Sequence, residues 1–477
     1  MSDASRRGWA LGLIATAQFM VIMDTSIIGV ALPRIQEDLG FTPGNLSWVF
    51  NAYVVAFAGL LLLGGRLADL FGARRIFTIG WVVLLVGSAV AGAAGNVAVE
   101  LTGRVVQGAG AALVAPAALT LLMSIFGSTP RELTRALAVY GAAAPAGGTA
   151  GVFLGGLITE YASWPWVFWI NVPIAVLVLA VTRVLLPSGA TVRGSVDVVG
   201  ALLVTVGLGV LVFAVVRAPE VGWGAAQTWL ALGAAVALLV AFVVTQARRR
   251  DPLVPLRIFR TPNLGAANLA QALLGAAWVA MWFYLNLYLQ QVLGLGAFAS
   301  GAALVPMTAL VMIGMVALAP RLIARWGTKA LTVAGLLVLA VGLAWLSFVR
   351  PDGAYVVDVL PATLVAALGM SLAFIPSLGT AISSAPPQDG GLASGIVNTS
   401  YQVGSALGLA AMTAVGAAYG ATASGDVVAL TDGYSAVFLG AAVVALLGGL
   451  LAAALLRTPT PSAGDEDAAR KTQAVGS

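Results

Sequence analysis

Residues 17–32 read AQFMVIMDTSIIGVAL, an apolar run broken by one acid, Asp24. The run extends back to Trp9, so it is long enough to cross a bilayer as a helix, which takes about 20 mostly apolar residues. At about 1.5 Å per residue, Asp24 lies roughly 22 Å along the helix from Trp9. That is the outer half of a hydrocarbon core about 30 Å thick, if the chain starts inside. A charge there costs on the order of 2.5–3.5 kcal/mol on insertion scales. The chain must hold this carboxyl against a partner, a cavity or a proton; a polar anchor between helices is the plain alternative. The long run and its aspartate also argue against a cleaved signal peptide.

The rest of the chain agrees with a membrane setting. Of its 477 residues 60% are hydrophobic and 9% charged, whereas a soluble domain carries about 25% charged residues. Cysteine and histidine are absent, which excludes disulfides, thiol nucleophiles, Cys/His zinc sites and histidine relays. The two lysines, Lys329 and Lys471, stand outside any Walker sequence, so ATP hydrolysis by a P-loop is excluded. No nucleophile–base or metal pair is visible, so the chain does not read as an enzyme.

Fourteen apolar stretches are expected to span, starting near Trp9, Leu46, Ile76, Val97, Arg135, Pro165, Val198, Thr228, Pro262, Ser300, Ala330, Tyr355, Gly390 and Tyr434. With a cytoplasmic N-terminus, 20 Lys and Arg residues fall inside, and only Arg34, Arg217 and Arg350 fall outside. This is the positive-inside pattern. Dropping one helix would reverse every later loop, so an even number of spans and two cytoplasmic termini follow. The net charge of +5 thus belongs to loops at a membrane face and not to nucleic-acid binding.

Two cytoplasmic loops resemble each other: GGRLADLFGARR (64–75) and PRLIARWGTK (320–329). Leu67, Gly72 and Arg74 match Leu322, Gly327 and Lys329 at a constant offset of 255. Chance similarity between basic loops is one explanation; a duplicated six-helix unit is the other. The second gives a six-helix bundle over 1–187, two linker helices over 188–260, a second bundle over 261–457 and a polar, disordered cytoplasmic tail over 458–477.

Further candidates follow from polarity inside spans. Arg104 enters the fourth span from outside, about 6–10 Å below the outer surface, at the predicted depth of Asp24. The two need not touch. Burial disfavours a carboxylate and a nearby cation favours it, a balance that suits proton exchange. Packing against carbonyls is the plain alternative for Arg104. Glu100 reads as an acid at a helix mouth and Asp358 as one near an outer end, which leaves Asp24 as the obvious coupling acid. The run GAAAPAGGTAGVFLGG (141–156) holds Pro145 and glycines that favour a bend and close helix approach. Asp69, beside Arg66, Arg74 and Arg75, could latch a cytoplasmic loop or simply be solvated. The ninth span is rich in polar and aromatic residues; Gln271, Trp278 and Trp282 share a face that, with Asn286, could line a cavity for a flat or cationic substrate. Asn51, Tyr53, Asn398, Tyr401 and Gln402 are weaker cavity candidates, and anchoring or packing accounts for many of these residues.

With these motifs in hand, the sequence resembles the major facilitator superfamily, and within it the fourteen-helix drug:proton antiporters, over nearly the whole chain. MDTSIIGVALP (23–33) resembles that family's first-helix pattern, with Asp24 on its embedded acid. Gly65, Asp69, Gly72 and Arg74 fall on the loop motif between helices two and three. Arg104, Gln107 and Gly108 fall on the fourth-helix motif, whose arginine the resemblance implicates in proton coupling. Gly141, Pro145, Gly147 and Gly148 fall on the antiporter motif. The departures are Gly29 for an asparagine, Ala144 for a glycine, Leu70 and Ala73 in the loop motif, and Tyr401 where relatives often carry arginine.

The resemblance implies an all-α polytopic membrane protein of the major facilitator fold in a bacterial cytoplasmic membrane. It implies export by alternating access, driven by protons through Asp24 and Arg104. No cofactor is expected beyond the coupling proton. The expected partners are the bilayer and a small hydrophobic, neutral or monocationic substrate, without nucleic acid, and a monomer is expected to suffice. An endogenous lipid or metabolite as cargo, or a non-transporting sensor or scaffold, remain the alternatives.

Overall fold

Apolar runs of this length leave the backbone one way to satisfy its polar groups away from water, which is to close them within helices. In the computed structural model, residues 3–41, 48–188, 197–249, 252–386, 390–421 and 426–457 are described, and among them there is helix and no strand. The tail over 458–477, expected to be disordered, lies outside the described residues.

The first half comprises α1 (Asp3–Leu39), α2 (Trp48–Phe71), α3 (Ala73–Gly92), α4 (Val97–Phe126), α5 (Pro130–Tyr161), and a sixth span broken into α6 (Trp166–Trp169) and α7 (Asn171–Leu185). Next come α8 (Val198–Val221) and α9 (Ala226–Arg248), then α10 (Leu264–Leu287), α11 (Ala297–Ala303), α12 (Val305–Ile313), α13 (Ala319–Leu346), α14 (Leu360–Ser383), α15 (Gly390–Ala418) and α16 (Val427–Leu455). The last helix starts seven residues before the predicted Tyr434, because Asp426 accepts hydrogen bonds from the Val428 and Ala429 amides and fixes the start there. Such a cap is worth about 1 kcal/mol.

Twelve described segments are long and apolar enough to cross a membrane, against fourteen expected. One of them, Phe298–Leu346, has 49 residues, roughly twice the length that one crossing needs. Gly327 breaks it with φ 77° and ψ 168°. Gly72, its counterpart in the earlier loop, has φ 89° and ψ 129° between α2 and α3. Both are left-handed positions that a Cβ disfavours. The 29-residue α15 is not among the twelve, since Asn398, Tyr401, Gln402 and several glycines dilute its hydropathy.

Packing follows one scheme twice. α1 packs on α5, α3 on α4 and α7, and α2 on α4; likewise α10 packs on α15, α13 on α14 and α16, and α12 on α14. Between the two sets, α5 runs along α11, α12 and α14, while α2 and α4 meet α15. α8 lies outside this seam against both α2 and α15, and α9 packs on α8. Much of α9 therefore faces outward, with Trp229, Leu230 and Val236 exposed.

Candidate functional site

Asp24, Arg104, Gln107, Ser88 and Asn171 form one buried cluster in the first half, on α1, α4, α3 and α7. Asp24 is 1% exposed and Arg104 0%. Arg104 Nη1 donates to Asp24 Oδ2 at 2.8 Å and to Gln107 Oε1 at 2.7 Å, and Nε donates to the Val49 carbonyl at 2.8 Å. Asp24 Oδ1 accepts from Gln107 Nε2 at 3.0 Å and from Asn171 Nδ2 at 2.6 Å. Ser88 Oγ accepts from the same two amides. The guanidinium also lies 4.6 Å from the Tyr53 ring and 5.8 Å from the Phe168 ring, each a favourable cation–π contact.

The sequence placed Asp24 and Arg104 at one depth without requiring contact; the structure makes them an ion pair. Burying such a pair is costly unless hydrogen bonds satisfy its remaining lone pairs and protons; here the Gln107 and Asn171 amides satisfy the carboxylate and the Val49 carbonyl takes Arg104 Nε. Ser88 and Asn171 escaped the sequence reading. Their signal was a single polar residue inside each of two apolar runs, LLVGSAVAG and WINVPIAV. Tyr53, expected at a cavity, is instead buried in this cluster, and its hydroxyl donates to the Val21 carbonyl at 3.3 Å. Glu100, expected at a helix mouth, is 0% exposed. The long α1 brings Ile27, Ile28, Ala31 and Ile35 over the first turn of α4, where they join Phe41, Val49, Trp164, Val167 and Phe168 as an apolar cap.

The glycines of the fifth-span motif set the approach of α5 to its neighbours. A Cβ on Gly147 would collide with the Phe19 carbonyl oxygen, and one on Gly151 would lie 2.8 Å from that of Met23. On other faces of α5, Gly141 abuts Ile375 and Phe374 of α14, and Gly148 faces Ser26 of α1 and Trp282 of α10. Pro145 sits inside a helix that runs on to Tyr161. Towards its far end, Thr149 hydrogen-bonds Thr308 and the Phe153 and Phe298 rings stand 4.9 Å apart. Gly147→Ala is expected to cost about 1–3 kcal/mol through overpacking, read as a lowered melting temperature of the purified protein.

In the loop motif, Gly65 is buried against Gly395 of α15. Asp69 Oδ2 accepts from the Leu392 amide in the first turn of α15 at 2.9 Å. A carboxylate there also favours the positive end of the helix dipole. Gly72 supplies the left-handed turn described above, and Arg74 Nη1 donates to the Leu186 carbonyl at 3.1 Å.

The cavity candidates divide. Gln271 and Trp278 are buried and Trp282 half-buried. Gln271 donates to the Phe374 carbonyl at 3.1 Å and to Ser377 Oγ at 3.0 Å, and the half-buried Tyr401 stands edge-on to Phe374 at 5.8 Å. These bring α10, α14 and α15 together. Asn286 accepts from Gln290, Asn398 donates to the Ser394 carbonyl one turn back, and Gln402 is half-buried. Asn51 lies in α2, but its side chain is outside the described residues.

Comparisons with known proteins fit this architecture. The chain is 41% identical over 466 residues to the cephamycin export protein CmcT of Amycolatopsis lactamdurans, covering 96% of this chain and 95% of that one. It is 36% identical to the puromycin resistance protein pur8 of Streptomyces alboniger, covering 98% and 95%, and 33% identical to the lincomycin resistance protein of Streptomyces lincolnensis, covering 93% and 92%. Among solved structures, the human organic anion transporter MFSD10 shares the fold with a TM-score of 0.67 over 95% of this chain and all of that one, at 15% identity. The sequence profile of the Major Facilitator Superfamily matches residues 14–409, and the chain belongs to that superfamily of membrane transporters.

Proposed function

We propose that this chain is a proton-coupled antiporter of a bacterial cytoplasmic membrane, exporting hydrophobic neutral or monocationic small molecules, antibiotics among them. The observation that carries the reading is the fully buried Asp24–Arg104 ion pair with its amide partners. The kinship with proteins named for cephamycin export and for puromycin and lincomycin resistance supports the substrate class. The chain crosses the membrane fourteen times with both termini inside. Gly327 divides Phe298–Leu346 into two crossings, and α15 is a polar crossing that faces the seam. The repeated packing scheme and the matched left-handed glycines, Gly72 and Gly327, support two six-helix halves with α8 and α9 between them.

The charge state of one carboxyl can act on the whole seam. Ionised Asp24 holds Arg104 and thereby ties α1 to α4. A proton on Asp24 cancels that attraction. α1 then moves with α5, its close-packed neighbour, and α5 carries Gly141, Thr149 and Phe153 along the opposite half. Gln271, Trp278, Trp282 and Tyr401 line the substrate path between the halves, with Asn286, Asn398 and Gln402 at its margins.

On this reading Asp69 helps to hold the cytoplasmic side closed. Asp69→Ala removes a cap-like bond worth about 0.5–2 kcal/mol and is expected to raise cytoplasmic opening by roughly two- to thirtyfold. The chain has no cysteine, so the rate of maleimide labelling at Ser394→Cys, with and without Asp69→Ala, reads this directly. The function itself is tested by reconstituting the purified chain in liposomes and imposing a pH gradient on a panel of cephamycins, puromycin, lincomycin and neutral lipophilic dyes. Uphill movement of at least one compound, with proton flux the other way, is expected. Transport of none would overturn the reading.

A further inference from the structure

Glu100 is an acid that the antiport scheme above does not use. It lies in the first turn of α4 with 0% exposure, and among the described residues neither of its carboxyl oxygens has a hydrogen-bond partner. An ionised carboxylate in that position would lack both water and donors, at a cost of several kcal/mol or more. A carboxyl that carries its proton avoids this. Four residues on, and so one turn away on the same helix face, stands Arg104. Its Nη2 is also buried without a partner, as is Asn171 Oδ1. The cluster thus keeps one open donor, Arg104 Nη2, and one open acceptor, Asn171 Oδ1, while Arg104 Nη1 and Asn171 Nδ2 are engaged with Asp24. The charged groups that act on Glu100 are Arg104 from its own helix and Asp24 from α1; around that pair stand Tyr53 of α2, which is titratable, and Ser88, Phe168 and Asn171, none of which titrates.

We propose that Glu100 is a second proton carrier, which receives a proton from the outer side and hands it to Asp24 while Arg104 changes partner from Asp24 to Glu100. The step balances. The O–H bond of Glu100 breaks, an O–H bond forms on Asp24, and the guanidinium leaves the newly neutral Asp24 for the Glu100 carboxylate. The three groups have zero net charge before and after, so no uncompensated charge arises in the buried site. Glu100 lies about 6 Å nearer the outer end of α4 than Arg104, under the apolar cap, so it is the first acid met when that end opens. The two acids act in series on one proton, which keeps the exchange at one proton per cycle.

This inference rests on the antiport reading, and its test separates the two. Infrared spectra of the full-length protein in detergent need no substrate. At neutral pH, wild type is expected to show absorption of a protonated buried carboxyl that Glu100→Gln removes and Asp24→Asn retains. In liposomes, Glu100→Gln is expected to slow pH-gradient-driven puromycin export by about tenfold or more, and Glu100→Asp, which keeps an acid, to recover part of that loss. A passive packing role for a protonated Glu100 would also lose the infrared band in Glu100→Gln but would leave export at the wild-type rate, because glutamine matches the protonated acid in shape. Unchanged infrared absorption in Glu100→Gln, or wild-type coupled export by it, would overturn the proposal. Wild type that carries the Glu100 absorption but shows no gradient-driven transport of any compound would instead overturn the antiport reading, and the relay with it, while supporting the protonated state of Glu100.

Discussion

Asp24→Asn is expected to abolish concentrative transport. One proton entering down about 100 mV releases roughly 2.3 kcal/mol, and one pH unit adds about 1.36 kcal/mol. A neutral substrate exchanged for that proton can reach a gradient of roughly 500-fold. A monovalent cation exchanged for one proton moves no net charge and gains only about tenfold from the same conditions. With an amide at position 24 no proton is carried, so the neutral substrate's ratio falls to about one and the cation gains nothing from the pH difference. Any remaining downhill flux should no longer respond to outside pH. The amide keeps an oxygen for Gln107 and Asn171, but its nitrogen would face Arg104, donor against donor. The variant's melting temperature and elution profile are therefore measured beside its transport. A neutral and a cationic substrate assayed together give the sharper reading, because their wild-type gradients should differ by the full electrical contribution.

Arg104→Ala is expected to have the largest effect on stability. It leaves Asp24 buried without its cation and removes the donor to the Val49 carbonyl. Breaking a buried pair from one side costs about 3–5 kcal/mol. The deficit should shrink as pH falls, because a proton on Asp24 removes the uncompensated charge. The double variant Asp24→Asn/Arg104→Ala should recover much of the loss, giving a coupling energy in a double-mutant cycle of up to about 3 kcal/mol. Lysine at 104 should rescue poorly. A point charge cannot reproduce the fork that reaches Asp24, Gln107 and the Val49 carbonyl together. Thermal unfolding of wild type, the two single variants, the double variant and Arg104→Lys at two pH values checks all three expectations.

These two residues also show what could be read before any coordinates. Hydropathy and the positive-inside count placed Asp24 and Arg104 at one depth, because helical rise converts residue number into height. Contact depends on how α1 and α4 are rotated about their axes, and hydropathy leaves that open where a helix has little amphipathic contrast. Ser88 and Asn171 were illegible for a related reason. A lone polar residue in an apolar span often bonds its own backbone, as Thr182 does to the Val178 carbonyl, and only tertiary placement tells the two cases apart. Glu100 was misplaced because its position in a first turn suggested an open mouth, whereas tertiary packing buries it completely. The loop glycines were the opposite case. Gly72 and Gly327 were matched by spacing alone, and both adopt the left-handed backbone that only glycine takes readily.

The central claim is that Asp24 trades a proton for substrate. The direct measurement is proton release by the purified protein in weakly buffered detergent on adding a transported compound, wild type against Asp24→Asn. The account predicts about one proton released per compound bound by wild type and none by the variant. Equal release from both proteins would contradict it.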